Sequence, residues 1–211
     1  MTTSIRAAGA AVLVAALLAA TPLTAQTAPA ELPGKVDVSR VAGGTYKVDP
    51  DHTQVAFTVN HFGFTDYFGL LGGSTGTLTL DPKRPGAAQV TIEIPLAAAV
   101  TTSKELDAHL QAADFFETAK FPKASFRSTR VEVDGERARI VGDLTLRGVT
   151  RPVVLDARFT GAGINPMNKA ATIGFEATTS VKRSEFGMKF ALPVVSDQVD
   201  LRIVAAFEKA E

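Results

Sequence analysis

Residues 107–130 read DAHLQAADFFETAKFPKASFRSTR, and this stretch decides how the rest of the chain is interpreted. It joins the end of a short helix to the start of a long strand, and it carries four of the 13 phenylalanines, Phe115, Phe116, Phe121 and Phe126. The chain on both sides alternates apolar and polar residues with the two-residue period of β-strands. We therefore expect the aromatic segment, residues 115–126, to close or line one end of a β-barrel.

A short helix is predicted just before the aromatic segment. Thr101, Thr102 or Ser103 can cap it, and Leu106 and Leu110 are four residues apart on one face. Isolated helices of this length are marginal in water, so this helix must be stabilised by packing.

Two-residue alternation indicates about eight strands, and Asp134-Gly135 is a strong hairpin signal. Aromatic residues punctuated by glycine at 62–73 indicate instead a bent, aromatic-lined loop. These features predict an all-β fold, an antiparallel eight-stranded barrel with a short helical insertion between the third and fourth strands. A β-sandwich is the alternative.

The polar positions of the predicted strands are strongly charged, and they include Glu93, Arg137, Arg139, Asp143, Asp156, Arg158, Asp200 and Arg202. An Arg or Lys at the lipid-facing midplane of a membrane barrel costs about 2–4 kcal/mol. We therefore expect a barrel that does not span a membrane, with the charged face in water and the apolar face inside. A solid interior and a hollow one both fit this pattern.

The N-terminus has the pattern of a secretory signal. Arg6 precedes an apolar run from Ala7 to Ala20, which is shorter than the roughly 20 residues of a membrane-spanning helix, and Pro22 then ends it. We predict a signal peptide at 1–25, a flexible leader at 26–44 and a barrel domain at 45–209, and hence an exported protein. A buried helix is the alternative for the apolar run.

Composition argues against several function classes. The 22 basic and 22 acidic residues give a net charge of +0, so a nucleic-acid partner is not expected. The chain has no Cys, which excludes disulfides, thiolate metal sites and a cysteine nucleophile. The three His residues show no HxH or HExxH spacing, so no metal site is predicted.

A few polar residues could carry chemistry. Ser103, His109 and Asp114 form a catalytic set on paper, but no GxSxG motif accompanies them, and Asp114 fits better as a cap on backbone N–H groups. Glu105 and His109 have the spacing of a helical pair. Arg147 and Arg151 flank a hairpin turn, where they could attract a phosphate headgroup or remain solvated.

Several longer strings resemble the YceI-like, polyisoprenoid-binding family of bacterial periplasmic proteins. They are YKVDPDHTQVAFTVNHFGF at 46–64, HLQAADFFETAKFPKASFRST at 109–129, GDLTLRGVTRPVVLDA at 142–157, SVKRSEFGM at 180–188 and VDLRIVAAFE at 199–208. The resemblance implies a periplasmic location and a lipocalin-like barrel whose elongated hydrophobic lumen takes up a long isoprenoid chain or a similar amphipathic lipid. This chain departs from the family in having no Trp and in the apolar residues of 67–71.

We therefore predict a non-catalytic lipid carrier with no cofactor, whose ligand is a polyisoprenoid, a quinone-like lipid or another amphipathic lipid. An enzyme acting on a hydrophobic substrate in the same pocket is the alternative, and a protein-binding module with a solid core is a third. A homodimer is compatible with the sequence. The predicted ligand-binding residues are Phe57, Val59, Phe62, Phe64, Ile92, Leu110, Phe115, Phe116, Phe126, Leu144, Phe159 and Phe175.

Overall fold

A computed structural model describes residues 31–210 of the chain, so the predicted signal peptide and the start of the leader lie outside the described residues. The helix α1 spans Lys104–Gln111. Ten strands are present: β1 Gly44–Val48, β2 Gln54–His61, β3 Thr65–Leu71, β4 Thr75–Leu80, β5 Gln89–Pro95, β6 Lys123–Asp134, β7 Arg137–Leu146, β8 Val149–Ile164, β9 Ala171–Lys182 and β10 Gln198–Lys209. Four short 3₁₀ helices span Val38–Arg40, Pro85–Ala87, Leu96–Ala98 and Arg183–Phe186.

The strands form one closed antiparallel sheet. The order runs β1-β4-β5-β6-β7-β8-β9-β10, and β10 pairs back with β1. The other half of β10 pairs with β2, which in turn pairs with β3. When β1 with β2 and β3 with β4 are each counted as one bent strand, the ten strands make an eight-stranded barrel. The helix α1 then lies between the third and fourth strands, which confirms the predicted fold class.

A threonine bridges the bend between β1 and β2. The Thr53 hydroxyl donates to the carbonyl oxygen of Ala206 at 3.2 Å and accepts from the N–H of the same residue at 3.1 Å. The side chain thereby replaces the backbone pairing that β10 loses at this point. Thr53 is only 3% exposed, because it sits between the two halves of the bent strand.

The region 62–73 differs from the expected loop. Seven residues of it, Thr65–Leu71, form β3, which pairs with β2 from His61↔Thr65 to Val55↔Leu71. Position 69 requires glycine, because the Phe57 ring of β2 covers it and a Cβ there would lie 2.1 Å from Phe57 Cζ. An aromatic ring covering a glycine on the neighbouring strand is a recognised way to stabilise such a position.

The two ends of the barrel are closed by different segments. The cap end is covered by α1 and the turns that follow it, with Leu110, Phe115 and Phe116 in its apolar cluster. At the opposite base end, Lys35 pairs with Ala162 of β8 through two backbone hydrogen bonds of 3.1 and 2.8 Å. The segment after Leu32, predicted as part of a flexible leader, is therefore attached to the barrel.

Candidate ligand-binding interior

The barrel interior can be followed by register, because directly opposed residues of neighbouring strands point to the same face. Ile92 of β5 opposes Phe126 of β6, and Phe126 opposes Leu144 of β7. On the far wall, Leu201 of β10 opposes Phe57 of β2. All five side chains are apolar and face inward, so this level of the interior has an apolar lining.

Buried residues form two clusters at different heights. The cap-end cluster includes Leu96, Leu110, Phe186 and Met188. The base-end cluster includes Tyr46, Leu78, Ile173 and Phe207, with Phe175 placed between the rings of Phe159 and Phe207 at centroid distances of 5.7 and 6.1 Å. Each end of the barrel thus has its own packed core.

Between these clusters the wall is not fully covered. Several inward-facing apolar residues that pack on the cap-end cluster keep accessible surface, among them Leu144, Val181, Val199, Leu201 and Ile203. A solid core buries such positions almost completely, as it does for Ile173, which is 2% exposed. These inward-facing apolar side chains in the middle of the barrel are therefore only partly covered by other residues.

Most of the predicted ligand-binding residues face this interior or its cap. Phe57, Leu110, Phe126 and Phe159 are buried. Val59 is half-buried on β2, where it pairs with Tyr67. The other predicted residues that are half-buried and packed against one of the two clusters are Ile92, Phe115, Phe116, Leu144 and Phe175.

Phe62 and Phe64 lie elsewhere. They belong to the turn between β2 and β3, and they are 50% and 86% exposed. Phe62 has a φ of 59°, and Phe64 donates its N–H to the carbonyl oxygen of His61 at 3.1 Å, so both residues belong to a tight turn. Neither side chain packs against the two apolar clusters.

Sequence reasoning omitted several interior residues from the predicted site. Phe186 and Met188 are 1% and 5% exposed in the cap-end cluster, although their segment shows no strand periodicity. Leu201 and Ile203 stand on the correctly predicted inner face of β10. Their alternation with Asp200 and Arg202 was the signal that could have placed them in the site.

The cap helix is fixed by its polar residues. Ser103 is the N-cap, and its hydroxyl accepts the N–H of Leu106 at 3.2 Å. The buried Asp107 carboxylate accepts both the N–H and the hydroxyl of Thr101, at 2.6 and 2.8 Å. These bonds satisfy groups at the helix start that would otherwise lack partners.

The hypothetical catalytic set comes together only in part. His109 Nε2 lies 3.0 Å from Asp114 Oδ2, so Asp114 binds the histidine side chain and not the backbone N–H groups expected of it. The described residues show no hydrogen bond between Ser103 and His109, and no hydrogen bond or ion pair between Glu105 and His109. The His109 ring instead packs against Phe115 and Phe190, at 4.9 and 5.1 Å between centroids.

Arg147 is not a solvated turn arginine. Its side chain is 15% exposed, donates to Glu117 at 3.1 Å and to the Gly187 carbonyl oxygen at 3.4 Å, and thus ties three cap-end loops together. Arg151 makes no such contact with any described residue and is exposed. Residues 31–210 contain no group of three or more His, Asp or Glu side chains arranged to hold a metal ion, and no helix in this range is long and apolar enough to cross a membrane.

Comparison with known proteins then assigns the chain to a family. The model of the YceI-like domain matches residues 46–207. The chain belongs to the YceI-like family. Protein YceI of Escherichia coli O157:H7 is 41% identical over 160 residues, which cover 75% of this chain and 83% of that protein.

Solved structures share the fold of this YceI-like barrel. Burkholderia cenocepacia BcnA superposes with a TM-score of 0.68 at 19% identity, over 75% of this chain and 98% of the other. A polyisoprenoid binding domain from Saccharophagus degradans, implicated in plant cell wall breakdown, superposes with a TM-score of 0.61 at 16% identity, over 78% of this chain and 98% of that one. At these identities the likeness concerns the architecture of the YceI-like domain.

Proposed function

We propose that this protein binds a long-chain polyisoprenoid or a similar amphipathic lipid, quinone-like lipids included, in the interior of its barrel and performs no chemistry on it. The observation that carries the proposal is the apolar wall whose middle residues, such as Leu201 and Ile203, keep accessible surface while both ends are packed. An isoprenoid chain offers apolar surface and few hydrogen-bonding groups, so a lining of this kind suits it. The polyisoprenoid-binding domain with the same fold adds support.

Apolar burial supplies the driving force for such binding. Burying apolar surface contributes about 25 cal/mol per Å², so a chain that buries roughly 300 Å² gains about 7.5 kcal/mol before the cost of association. Enzymatic action would call for titratable groups paired inside the pocket. The inward register positions of the described strands carry no hydrogen-bonded pair of titratable side chains; His61 and Tyr67 are neighbours there, with 6.4 Å between ring centroids. This arrangement favours carriage over catalysis.

We place the mature protein in the periplasm, after removal of a signal peptide at 1–25 and with the barrel domain at 45–209. The basis is the charged n-region, the short apolar run and the break at Pro22 in the sequence. N-terminal sequencing of the protein from a periplasmic extract tests this location, and recovery of an uncleaved N-terminus from the cytoplasm would contradict it.

Native mass spectrometry with lipid extraction, on protein purified from its own cell envelope, tests the function. We expect a stoichiometric long-chain lipid, and the same spectrum reports whether the protein is a homodimer. Phe116→Asp places a charge in the cap-end cluster and should abolish lipid retention. Phe64→Asp is the matched control, because Phe64 is 86% exposed on an outer turn, and it should retain the lipid.

Thermal melts show that both variants are folded before they are compared. A wild-type protein that is empty and also fails to take up added prenyl lipids would overturn the proposal. If folded Phe116→Asp retains as much lipid as the wild type, the cap-end segment is not part of the binding site.

A further inference from the structure

One charged residue stands on the inner wall of the barrel. Arg151 of β8 directly opposes Leu144 of β7, and the next inner pair is Leu146 with Val149. Leu144, Leu146 and Val149 all belong to or pack on the cap-end cluster, so Arg151 shares the inward face with them. Between Tyr46 and Phe207, it is the sole Arg, Lys, Asp or Glu at an inward register position of the described strands.

The wall is unpaired beside this arginine. Pairing between β8 and β9 runs from Ile164↔Ala171 only as far as Asp156↔Thr178. Residues Val149–Leu155 therefore pair with β7 alone, while Thr179–Lys182 pair with β10 alone. We call the interval between these two segments the seam.

A proline explains why β8 and β9 do not form backbone hydrogen bonds across the seam. Arg147-Gly148 forms a two-residue hairpin, so Val149 and Arg151 direct their N–H groups toward β7. The backbone nitrogen of residue 152 therefore points the other way, toward β9. Pro152 has no N–H to offer there, and proline within a sheet is confined to such unpaired edges. A surface pocket of about 490 Å³ lies where pairing stops. Val154, Thr179 and Ser180 line it together with the outward-facing Asp156, Asp200 and Arg202, and Arg151 is not part of its lining.

Arg151 also lacks a counter-charge. Arg158 and Arg202 on the outer face both contact Glu176, at 3.1 and 3.7 Å, and Arg147 is paired with Glu117. Arg151 has no ion pair or hydrogen bond with any residue in the part of the chain that the structure describes. A guanidinium at the edge of an apolar space, with no carboxylate on the same face, is suited to an anionic group with several acceptor oxygens, such as a phosphate.

We propose that the seam between β8 and β9 holds the phosphate or diphosphate headgroup of the bound lipid, with Arg151 as its charge partner and the chain extending into the apolar interior. This inference rests on the proposed lipid-binding function and adds to it the headgroup class and its location. The shared chemistry is a phosphate ester on a long apolar chain, whether isoprenyl or acyl.

The test compares ligands that differ only in headgroup. A polyprenol and its monophosphate and diphosphate of equal chain length are titrated into delipidated full-length mature protein, with dioleoyl phosphatidic acid as the acyl phosphate. We expect the wild type to bind the prenyl phosphates at least tenfold more tightly than the alcohol. Arg151→Ala should abolish this preference and leave the affinity for the alcohol unchanged, and Arg151→Lys should keep part of it.

Arg127→Ala is the matched control. Arg127 opposes Asp143 on the outer face of β6, has no partner among residues 31–210, and its loss changes the net charge by the same amount. It should retain the full phosphate preference. A preference that survives Arg151→Ala, or a wild type that binds alcohol and phosphates equally, would overturn the headgroup site while leaving lipid binding intact.

Failure of the wild type to bind any of the four ligands would overturn both proposals. Equal binding of phosphatidic acid and prenyl phosphate would support the headgroup site and assign it to phosphate esters in general. Preference for the prenyl phosphates would assign the cargo to isoprenyl lipids.

Discussion

Replacing Arg183 with alanine should destabilise the protein by about 3–5 kcal/mol, the usual cost of removing one side of a buried charged network. Arg183 is 4% exposed, and its guanidinium donates to four backbone carbonyl oxygens within 188–196. The acceptors are Ser196 at 2.8 Å, Met188 at 3.1 Å, Phe190 at 2.8 Å and Val195 at 2.9 Å. One side chain thus fixes the whole loop that follows the last 3₁₀ helix.

The expected loss of stability is smaller than the summed energies of the four hydrogen bonds. A hydrogen bond to a charged group contributes about 1.5–3 kcal/mol, but burying the guanidinium costs several kcal/mol of hydration. Burial lowers the pKa of Arg183, and the charge of Asp197 acts in the opposite direction. Removing the arginine leaves four carbonyl oxygens and the Asp197 carboxylate without their cation, which gives the net figure of about 3–5 kcal/mol.

Urea unfolding followed by circular dichroism measures this loss. For a domain of this size each kcal/mol corresponds to about 2–4 °C in Tm, so the variant should melt roughly 6–20 °C lower. Arg183→Lys should fall between the two, because one ammonium cannot reach four carbonyl oxygens. A loss below about 1 kcal/mol, or unchanged hydrogen-exchange protection at 188–196, would refute the reasoning.

Two further predictions concern single buried positions. The Ser74 hydroxyl is buried and has no hydrogen-bond partner among the described residues. Ser74→Ala should therefore raise the free energy of unfolding by about 1 kcal/mol. If urea unfolding shows a decrease of similar size instead, the hydroxyl is hydrogen-bonded. Gly142→Ala should lower the free energy of unfolding by about 1–3 kcal/mol, because the added Cβ would lie 2.4 Å from the Phe126 ring and 2.6 Å from the Arg127 carbonyl oxygen. Gly72→Ala, which meets no atom within 4 Å, is its control, and equal melting of the two variants would contradict the packing argument.

The strands were predictable because both faces of the sheet have clear preferences. Along β10 the inward residues are apolar and the outward Asp200 and Arg202 are charged, so a slip of one residue would bury charge. The same logic predicts β7, where outward Arg139 alternates with inward Ile140. Closure into a barrel followed from the number of such strands and their short connections.

The placement of residues in turns could not be predicted in the same way. Phe62 and Phe64 were expected to line the interior from a bent aromatic loop, yet they are out of phase with inward Phe57 and Val59, and the turn leaves both exposed. The strand β2 ends at His61, and the next two residues, Phe62 and Gly63, have φ of 59° and 73°. Hydrophobicity alone cannot tell a turn aromatic from a wall aromatic.

Arg147 and Arg151 show what only the assembled fold can supply. Four residues apart in one hairpin, they look alike in the sequence, and both could be solvated. Arg147 forms an ion pair with Glu117, which lies thirty positions earlier in the chain and cannot be identified as a partner from the local sequence pattern. Arg151 has no partner among the described residues, and its inward position follows from its pairing with Leu144.

In the proposed headgroup site, the difference between these two arginines gives a bound lipid a direction. A lining that is apolar throughout would accept a chain in either orientation, since apolar burial is non-directional. A single cation at the seam removes that symmetry, because an anionic headgroup gains charge-assisted hydrogen bonds only when it lies beside Arg151. The chain must then extend away from the seam, toward the space bounded by Leu201 and Ile203, where its apolar surface is covered. Affinity in this arrangement comes from the barrel wall, and selectivity among lipids comes from one residue.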